Sequence, residues 1–345
     1  MLIKAMTRAT GIGPLPELLE AYAGTKTVKA VFADAGLPQL LIHERKHLIP
    51  LSSLARLNQA AAERTGDPAF GLATGLEMAP GDYGKWAIYA SQAPTLAVGI
   101  SRAIETLNLH QAGSSMRLAP RNNGQVAWED WHADISSPLF IQHSDGIVPG
   151  MIRFIQIFLG PDWRPSRVEV GYPLPNRVEH LEAATEAAWV FDSPCLAIVM
   201  SNDDLRTETP QRSERPRATP LLTHGDAVAD MESELPDASL KYIAAVISLR
   251  LLDGNSDIEG TAQALGTGRR TLQRRLEDHG LNYRSLLMRI RMQRAKGLIE
   301  ETCMPLKVIY FELGYSDPAH FTRAFRNHFG YPPSQVEKKV STERK

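Results

Sequence analysis

The chain has 345 residues, of which 43% are hydrophobic and 22% charged, with a formal net charge of −1. These are the proportions of a soluble globular protein of two domains, or at most three. No run approaches the roughly 18 apolar residues of a membrane helix. Met1-Leu2-Ile3-Lys4 is not followed by the apolar core of a secretory signal, so the chain reads as cytoplasmic.

From the N-terminus, residues 1–13 read as a poorly ordered lead-in. The spacing then predicts helices over 16–23 and 28–35, the second stopped by Gly36-Leu37-Pro38. Ile49-Pro50-Leu51-Ser52 reads as a helix entry, with Ser52 or Ser53 as the cap of a helix over 54–64 that ends near Gly66. Asp67-Pro68-Ala69-Phe70-Gly71-Leu72 opens another short helix, and a further amphipathic one follows Pro94 over 95–107. Around Arg121-Asn122-Asn123-Gly124 the pattern changes to two strands, 116–120 and 125–131, joined by that turn. A helix over 147–159, a strand over 167–172, a helix over 178–184 and two more strands at 189–191 and 196–200 complete the stretch. Residues 14–205 therefore read as an α+β domain, helix-rich with a small sheet.

Residues 206–220 hold prolines and arginines and little to bury, which marks 206–234 as a linker. Beyond it, residues 266–345 carry 16 Lys+Arg against 8 Asp+Glu, a balance of +8, so the preceding 265 residues carry −9. A chain neutral overall but basic at one end has one part suited to a polyanion and one part that is not.

The basic region, 235–340, states one pattern twice. Ile258 to Leu265-Gly266 is a short apolar helix and a turn, followed by Arg270-Thr271-Leu272-Gln273-Arg274-Arg275-Leu276. Leu306 to Leu313-Gly314 repeats it, followed by His320-Phe321-Thr322-Arg323-Ala324-Phe325. A short helix, a glycine turn and a second helix with basic residues among its anchors is a helix-turn-helix pattern. Leu272 and Leu276 turn inward in the first copy and Phe321 and Phe325 in the second, which leaves Arg270, Thr271, Gln273 and Arg274, then Ala319, His320 and Arg323, on the outer faces. Arginine offers a two-pronged donor to guanine and glutamine pairs with adenine, so these types suit major-groove reading. The bland alternative is a solvated basic face. A helix of roughly 20 residues from Tyr283 lies between the copies, about 30 Å of rise. That is close to the ~34 Å between successive major grooves on one face of the duplex. Arg289, Arg291, Arg294 and Lys296 along it suit phosphate contacts or a solvated face.

These residues resemble the AraC/XylS family of bacterial transcription regulators, over about 235–338. The resemblance rests on Arg270 to Leu276, Leu313-Gly314-Tyr315-Ser316-Asp317-Pro318, Phe321 to Arg326, and Phe329-Gly330-Tyr331-Pro332-Pro333-Ser334. Ile49-Pro50-Leu51, Thr65 to Leu72 and Ser91-Gln92-Ala93-Pro94-Thr95-Leu96 resemble the arabinose-binding-type ligand and dimerisation domain of the subgroup that includes ornithine-utilisation regulators. The resemblance implies an all-α double helix-turn-helix domain, duplex DNA and RNA polymerase as partners, a small-molecule effector and a homodimer. Two positions depart from it. Tyr310 stands where the family has a small alanine, which predicts a strained or tilted second unit, and Val336-Glu337 puts an acid where the family has Tyr-Arg.

Outside the basic region the sequence carries less chemistry. His110, His132 and His143 with Asp130 and Asp134 lack metal-ligand spacing and read as scattered surface residues. No nucleophile elbow, phosphate-binding loop or dinucleotide fingerprint is present, so no catalytic residue and no cofactor is assigned. Cys195 and Cys303 read as reduced thiols, with a redox switch as the alternative. Trp86, Tyr89, Trp128, Trp131 and Trp189 read as core or as the lining of a small-molecule pocket, with Arg117 or Arg153 as its polar anchor. The expected function is a DNA-binding regulator, an activator, that answers a small molecule. The alternatives are a metabolic enzyme with an incidental nucleic-acid-binding tail, and a regulator driven by protein partners.

Overall fold

The structure is a computed structural model that describes residues 5–132, 134–207, 238–302 and 304–336. The chain divides into two compact units between Glu234 and Leu235. The expected linker 206–234 lies outside the described residues except for its first two positions, and so do Cys303 and Glu337.

The first unit opens with strand β1 (Met6–Arg8), not with a loose lead-in. Met6, Ala9 and Ile12 are buried, and β1 is the centre of a three-stranded antiparallel sheet with β2 (Leu48–Pro50) and β3 (Gln111–Ala112). Helices α1 (Leu15–Ala23) and α2 (Thr25–Asp34) follow where apolar spacing places them. Helix α3 (Leu51–Thr65) starts directly after Pro50, so Ser52 and Ser53 lie inside its first turn rather than capping it; Gly66 ends it at φ 71°. Then come α4 (Phe70–Glu77), α5 (Lys85–Ser91) and α6 (Leu96–Glu105), the last capped by the Thr95 hydroxyl.

A five-stranded sheet forms the other layer, in the order β4-β5-β8-β6-β7. Its strands are β4 (Ser114–Pro120), β5 (Gln125–His132), β6 (Arg167–Glu169), β7 (Trp189–Val190) and β8 (Leu196–Ser201). The hairpin β4–β5 closes through Asn123 and Gly124, both at positive φ, as the Asn-Gly pair demands. Period-two alternation gives the sheet two faces. Val126 and Trp128 of β5, Val168 of β6 and Leu196, Ile198 and Met200 of β8 join the main core against α7 (Ile141–Leu159), with Ile152, Ile155 and Phe158 opposite them. On the outer face Ala127, Cys195, Ala197 and Val199 pack beneath charged pairs in which Glu129 meets Arg117 and Arg121, and Glu169 meets Arg121 and Arg167. Helix α8 (Val178–Thr185) lies between β6 and β7 in the chain.

One contact fixes where α4 and α7 cross. A Cβ on Gly71 would collide with the backbone of Gln142, and one on Gly75 with the backbone of Gly146. The helices thus touch backbone to backbone, a distance only glycine permits.

The second unit consists of helices among its described residues: α9 (Ala238–Leu252), α10 (Ile258–Ala264), α11 (Arg269–Glu277), α12 (Tyr283–Glu301), α13 (Leu306–Glu312) and α14 (Pro318–Phe329). Side-chain caps start three of them. Asp257 accepts from the Gly260 amide, Asn282 from Ser285 and Asp317 from Ala319. Helix α12 carries the core of the second half: Met292, Ala295 and Ile299 pack with Ile309, Tyr310, Leu313, Phe321 and Phe325.

Candidate nucleic-acid interface and ligand cavity

The two glycine turns are the same object at the level of single hydrogen bonds. In the first, the Gly266 amide donates to Gln263 O at 2.9 Å and the Thr267 amide to Ala262 O at 2.9 Å. In the second, Gly314 donates to Phe311 O at 2.9 Å and Tyr315 to Tyr310 O at 2.9 Å. Each pair is a Schellman closure, which needs a left-handed residue just past the helix. Gly266 at φ 63° and Gly314 at φ 78° supply it. Each turn delivers the chain into a helix anchored at i and i+4. Leu272 and Leu276 are at most 1% exposed on α11, and Phe321 and Phe325 at most 2% on α14.

These anchors decide which residues face out. On α11, Arg270 and Arg274 are exposed and Thr271 and Gln273 half-buried; on α14, Ala319, His320 and Arg323 are exposed. Arg270, Arg274 and Arg323 have no acidic partner among the described residues. The neighbouring Arg269 pairs with Glu259, and the His320 ring lies 3.7 Å from Asp317. Along α12, Arg291 donates to Ser256 Oγ at 3.0 Å, while Lys296 lies 3.7 Å from Glu300 and over the Phe329 ring. Those two cations tie the unit together, and Arg289, Arg291, Arg294 and Lys296 are half-buried rather than a solvated face, while Arg284 is exposed. The helix itself has 19 residues, about 28 Å of rise.

Tyr310 behaves differently from the strain expected of it. It is 9% exposed and packed among rings, 4.8 Å from Phe311 and 6.2 Å from Phe321 between centroids, while Phe311 turns out at 53% exposure. The closing hydrogen bond from Tyr315 is as short as its counterpart in the first unit, so the ring is accommodated by the second core and does not open the turn.

The first unit holds a cavity of about 90 Å³ between β5, α7 and the helices α3 to α6. A single water needs only about 10–15 Å³ by such a measure, so the space suits a small organic molecule. Of the aromatic residues singled out from sequence, Trp86 and Trp128 line it, and Tyr83 joins them; Tyr89, Trp131 and Trp189 lie elsewhere. Neither expected anchor is there. Arg117 stacks on Trp131 and pairs with Glu129 on the outer face of the sheet. Arg153 donates to the carbonyls of Leu76 and Met78 at the end of α4.

Besides Thr7, Asn58, Thr74 and Gln111, the polar lining comes from residues that the sequence placed at the surface. His110, His132, His143 and Asp130 are all buried, at 1–8% exposure, and all but His132 line the cavity. Alternation along β5 turns Trp128, Asp130 and His132 to the inner face. Burial lowers the pKa of His110 to about 4 and of His143 to about 3, so both rings are neutral near pH 7; it raises that of Asp130 to about 7. Several of their atoms have no hydrogen-bond partner: His110 Nδ1, His143 Nε2, Asp130 Oδ1 and the indole Nε1 of Trp128. Among the described residues no group of three or more His, Cys, Asp or Glu side chains is placed to hold a metal ion. Cys195 is buried under the charged face, with its thiol pushed up to about 12, first by burial.

A basic unit that is helical among its described residues and repeats one helix-turn-helix closure, in a chain whose other unit encloses a small cavity, defines a DNA-binding transcription regulator with a ligand-binding domain. Residues 27–209 match the family described as the arabinose-binding domain of AraC transcription regulator, N-terminal, and residues 261–339 match a helix-turn-helix domain family. The chain belongs to the AraC family of transcription regulators. It is 27% identical to the HTH-type transcriptional regulator VirS of Mycobacterium tuberculosis over 87% of each chain. It is 23% identical to the ornithine utilization regulator of Pseudomonas aeruginosa over 81% of each. The HTH-type transcriptional activator RhaS of Escherichia fergusonii is 31% identical over 30% of this chain and 37% of its own. No described helix is long and apolar enough to cross a membrane.

Proposed function

We propose that this regulator sets α11 and α14 into successive major grooves of duplex DNA, with α12 as the spacer between them. Arg270, Thr271, Gln273 and Arg274 read the first groove; Ala319, His320 and Arg323 read the second. The observation that carries this reading is the repetition of the turn bond for bond, each copy followed by a helix whose outer face carries exposed arginine, Arg270 and Arg274 in the first and Arg323 in the second, with no acidic partner among the described residues. The α12 rise of about 28 Å, against a ~34 Å groove repeat, supports both helices docking at once.

The first unit binds a small-molecule effector in its cavity and brings two chains together as a homodimer. The protein acts by binding rather than by catalysis, in the cytoplasm, as an activator that engages RNA polymerase at its promoter; the likeness to RhaS supports the sign of regulation. Sites selected by the full-length protein from genomic fragments, then footprinted at base resolution, test the core of this reading. Two protected major-groove segments about one helical turn apart are expected. Protection of a single groove, or equal affinity for every sequence, overturns it.

A further inference from the structure

Four acids are buried in the described structure: Glu129, Asp130, Asp145 and Glu169. Three have a cation. Glu129 and Glu169 share Arg121, and Asp145 is held by Arg177 and the Tyr172 hydroxyl. Asp130, 1% exposed, has none, and its Oδ1 is without a hydrogen-bond partner. A carboxyl group left so in a folded protein is costly unless something else complements it.

The surroundings narrow what that something is. Among the described residues no lysine or arginine lines the cavity, and both histidines there are held neutral by burial. An anionic ligand would meet a carboxyl group and no counter-charge. A cation would meet the reverse: a carboxylate, the faces of Trp86, Trp128 and Tyr83, and unpartnered nitrogens on His110 and His143, where a neutral imidazole presents an acceptor. The rest of the wall joins apolar side chains, Leu54, Met116, Ile147, Met151 and Phe154 among them, to the uncharged polar Thr7, Asn58, Thr74 and Gln111.

We infer that the effector cavity takes a small primary amine with a short apolar body, bound as the ammonium ion with Asp130 as its counter-ion. The inference rests on the reading of the first unit as the effector-binding unit and names the ligand class of that site. Three N–H donors of an ammonium group match the carboxylate and two imidazole acceptors in kind. The burial that raises Asp130 to about 7 reflects the missing charge that the ligand restores.

Titration calorimetry on the full-length protein with isopentylamine, isopentanol and isopentanoate tests the head group with the tail held constant. The amine is expected to bind at least tenfold tighter than the alcohol, and the carboxylate not measurably. Asp130→Asn should weaken the amine at least tenfold, with circular dichroism reporting that the variant is folded; if it does not fold, the wild-type comparison decides alone. Alcohol or carboxylate binding as tightly as the amine overturns the amine class while leaving a ligand-binding cavity in place. Retention of full amine affinity by Asp130→Asn overturns the role of Asp130. If none of the three binds, the amine class is overturned as well. The effector reading is then decided separately, by whether Trp86→Ala changes expression of a regulated gene in cells grown on the inducing medium.

Discussion

The two helix-turn-helix units share a backbone and differ in what fills the space between their helices. Ala262 faces the closing contact in the first, and Tyr310 in the second, yet the Schellman hydrogen bonds are equal in length. Turn geometry is therefore set by one left-handed glycine and two backbone bonds. The volume at the helix contact is set by the partner helices. Opposite Tyr310 stand aromatic anchors, Phe321 and Phe325, which meet its ring within a shared cluster. In the first unit the buried anchors are the leucines Leu272 and Leu276. A small residue with aliphatic anchors and a ring with aromatic anchors are two solutions to one spacing.

Exchanging the solutions should break each unit. Phe325→Ala should cost about 3–5 kcal/mol, the usual penalty for emptying a buried ring site, and Tyr310→Ala somewhat less because that ring is 9% exposed. Chemical denaturation of the full-length protein, followed by helical circular dichroism, reads both losses. A gain in stability for Tyr310→Ala would restore the strained reading. The reciprocal change, Ala262→Tyr, should overpack the first unit by about 1–3 kcal/mol, since no aromatic pocket receives the ring.

The reading faces offer a sharper comparison. Arg274→Ala should cost about 1–3 kcal/mol of DNA affinity and relax preference at one base pair. Fluorescence anisotropy across a set of single-base operator variants measures it. A uniform loss on every sequence, with a shallower salt dependence, would make Arg274 a phosphate contact. Arg323→Ala is the matching test in the second unit; equal and site-specific losses from both would show that the units read DNA on the same terms. The smallest effect concerns the turns. Gly266→Ala and Gly314→Ala should each cost about 1–2 kcal/mol, because both place a Cβ in the left-handed region, and the two values should agree. A much smaller cost at Gly314 would mean that the second turn relaxes where the first does not.

The second unit was legible in the sequence because its determinants are local. Leucine or phenylalanine pairs at i and i+4, a glycine after each short helix and an Asp or Asn before three of the helices lie within a turn of what they specify. The first unit yielded most of its helices for the same reason. What escaped depends on partners far along the chain. Strand β1 is only three residues long and is defined by pairing with residues near 49 and 111. The three histidines and Asp130 have no local mark of burial; the inward turn of β5 and the packing of α7 over it remove them from water. Arginine looked like the natural polar anchor for a cavity, but both candidates are spent, Arg153 on carbonyl groups and Arg117 on the buried Glu129. Tyr310 shows the opposite error: a local rule about small residues was overridden by the rings across from it.

The crossing of α4 and α7 has a consequence for how such a domain can diversify. Gly71 and Gly75 leave no side-chain layer between the two backbones, so substitution there has nothing soft to push against. On α7, just beyond Gln142 and Gly146, which meet those glycines, Ile147, Met151 and Phe154 line the cavity and can be exchanged for other shapes at the usual cost of repacking. Helix α7 thus joins an immutable pivot to a replaceable wall, and a lineage can change what the cavity admits while the frame around it stays where it was.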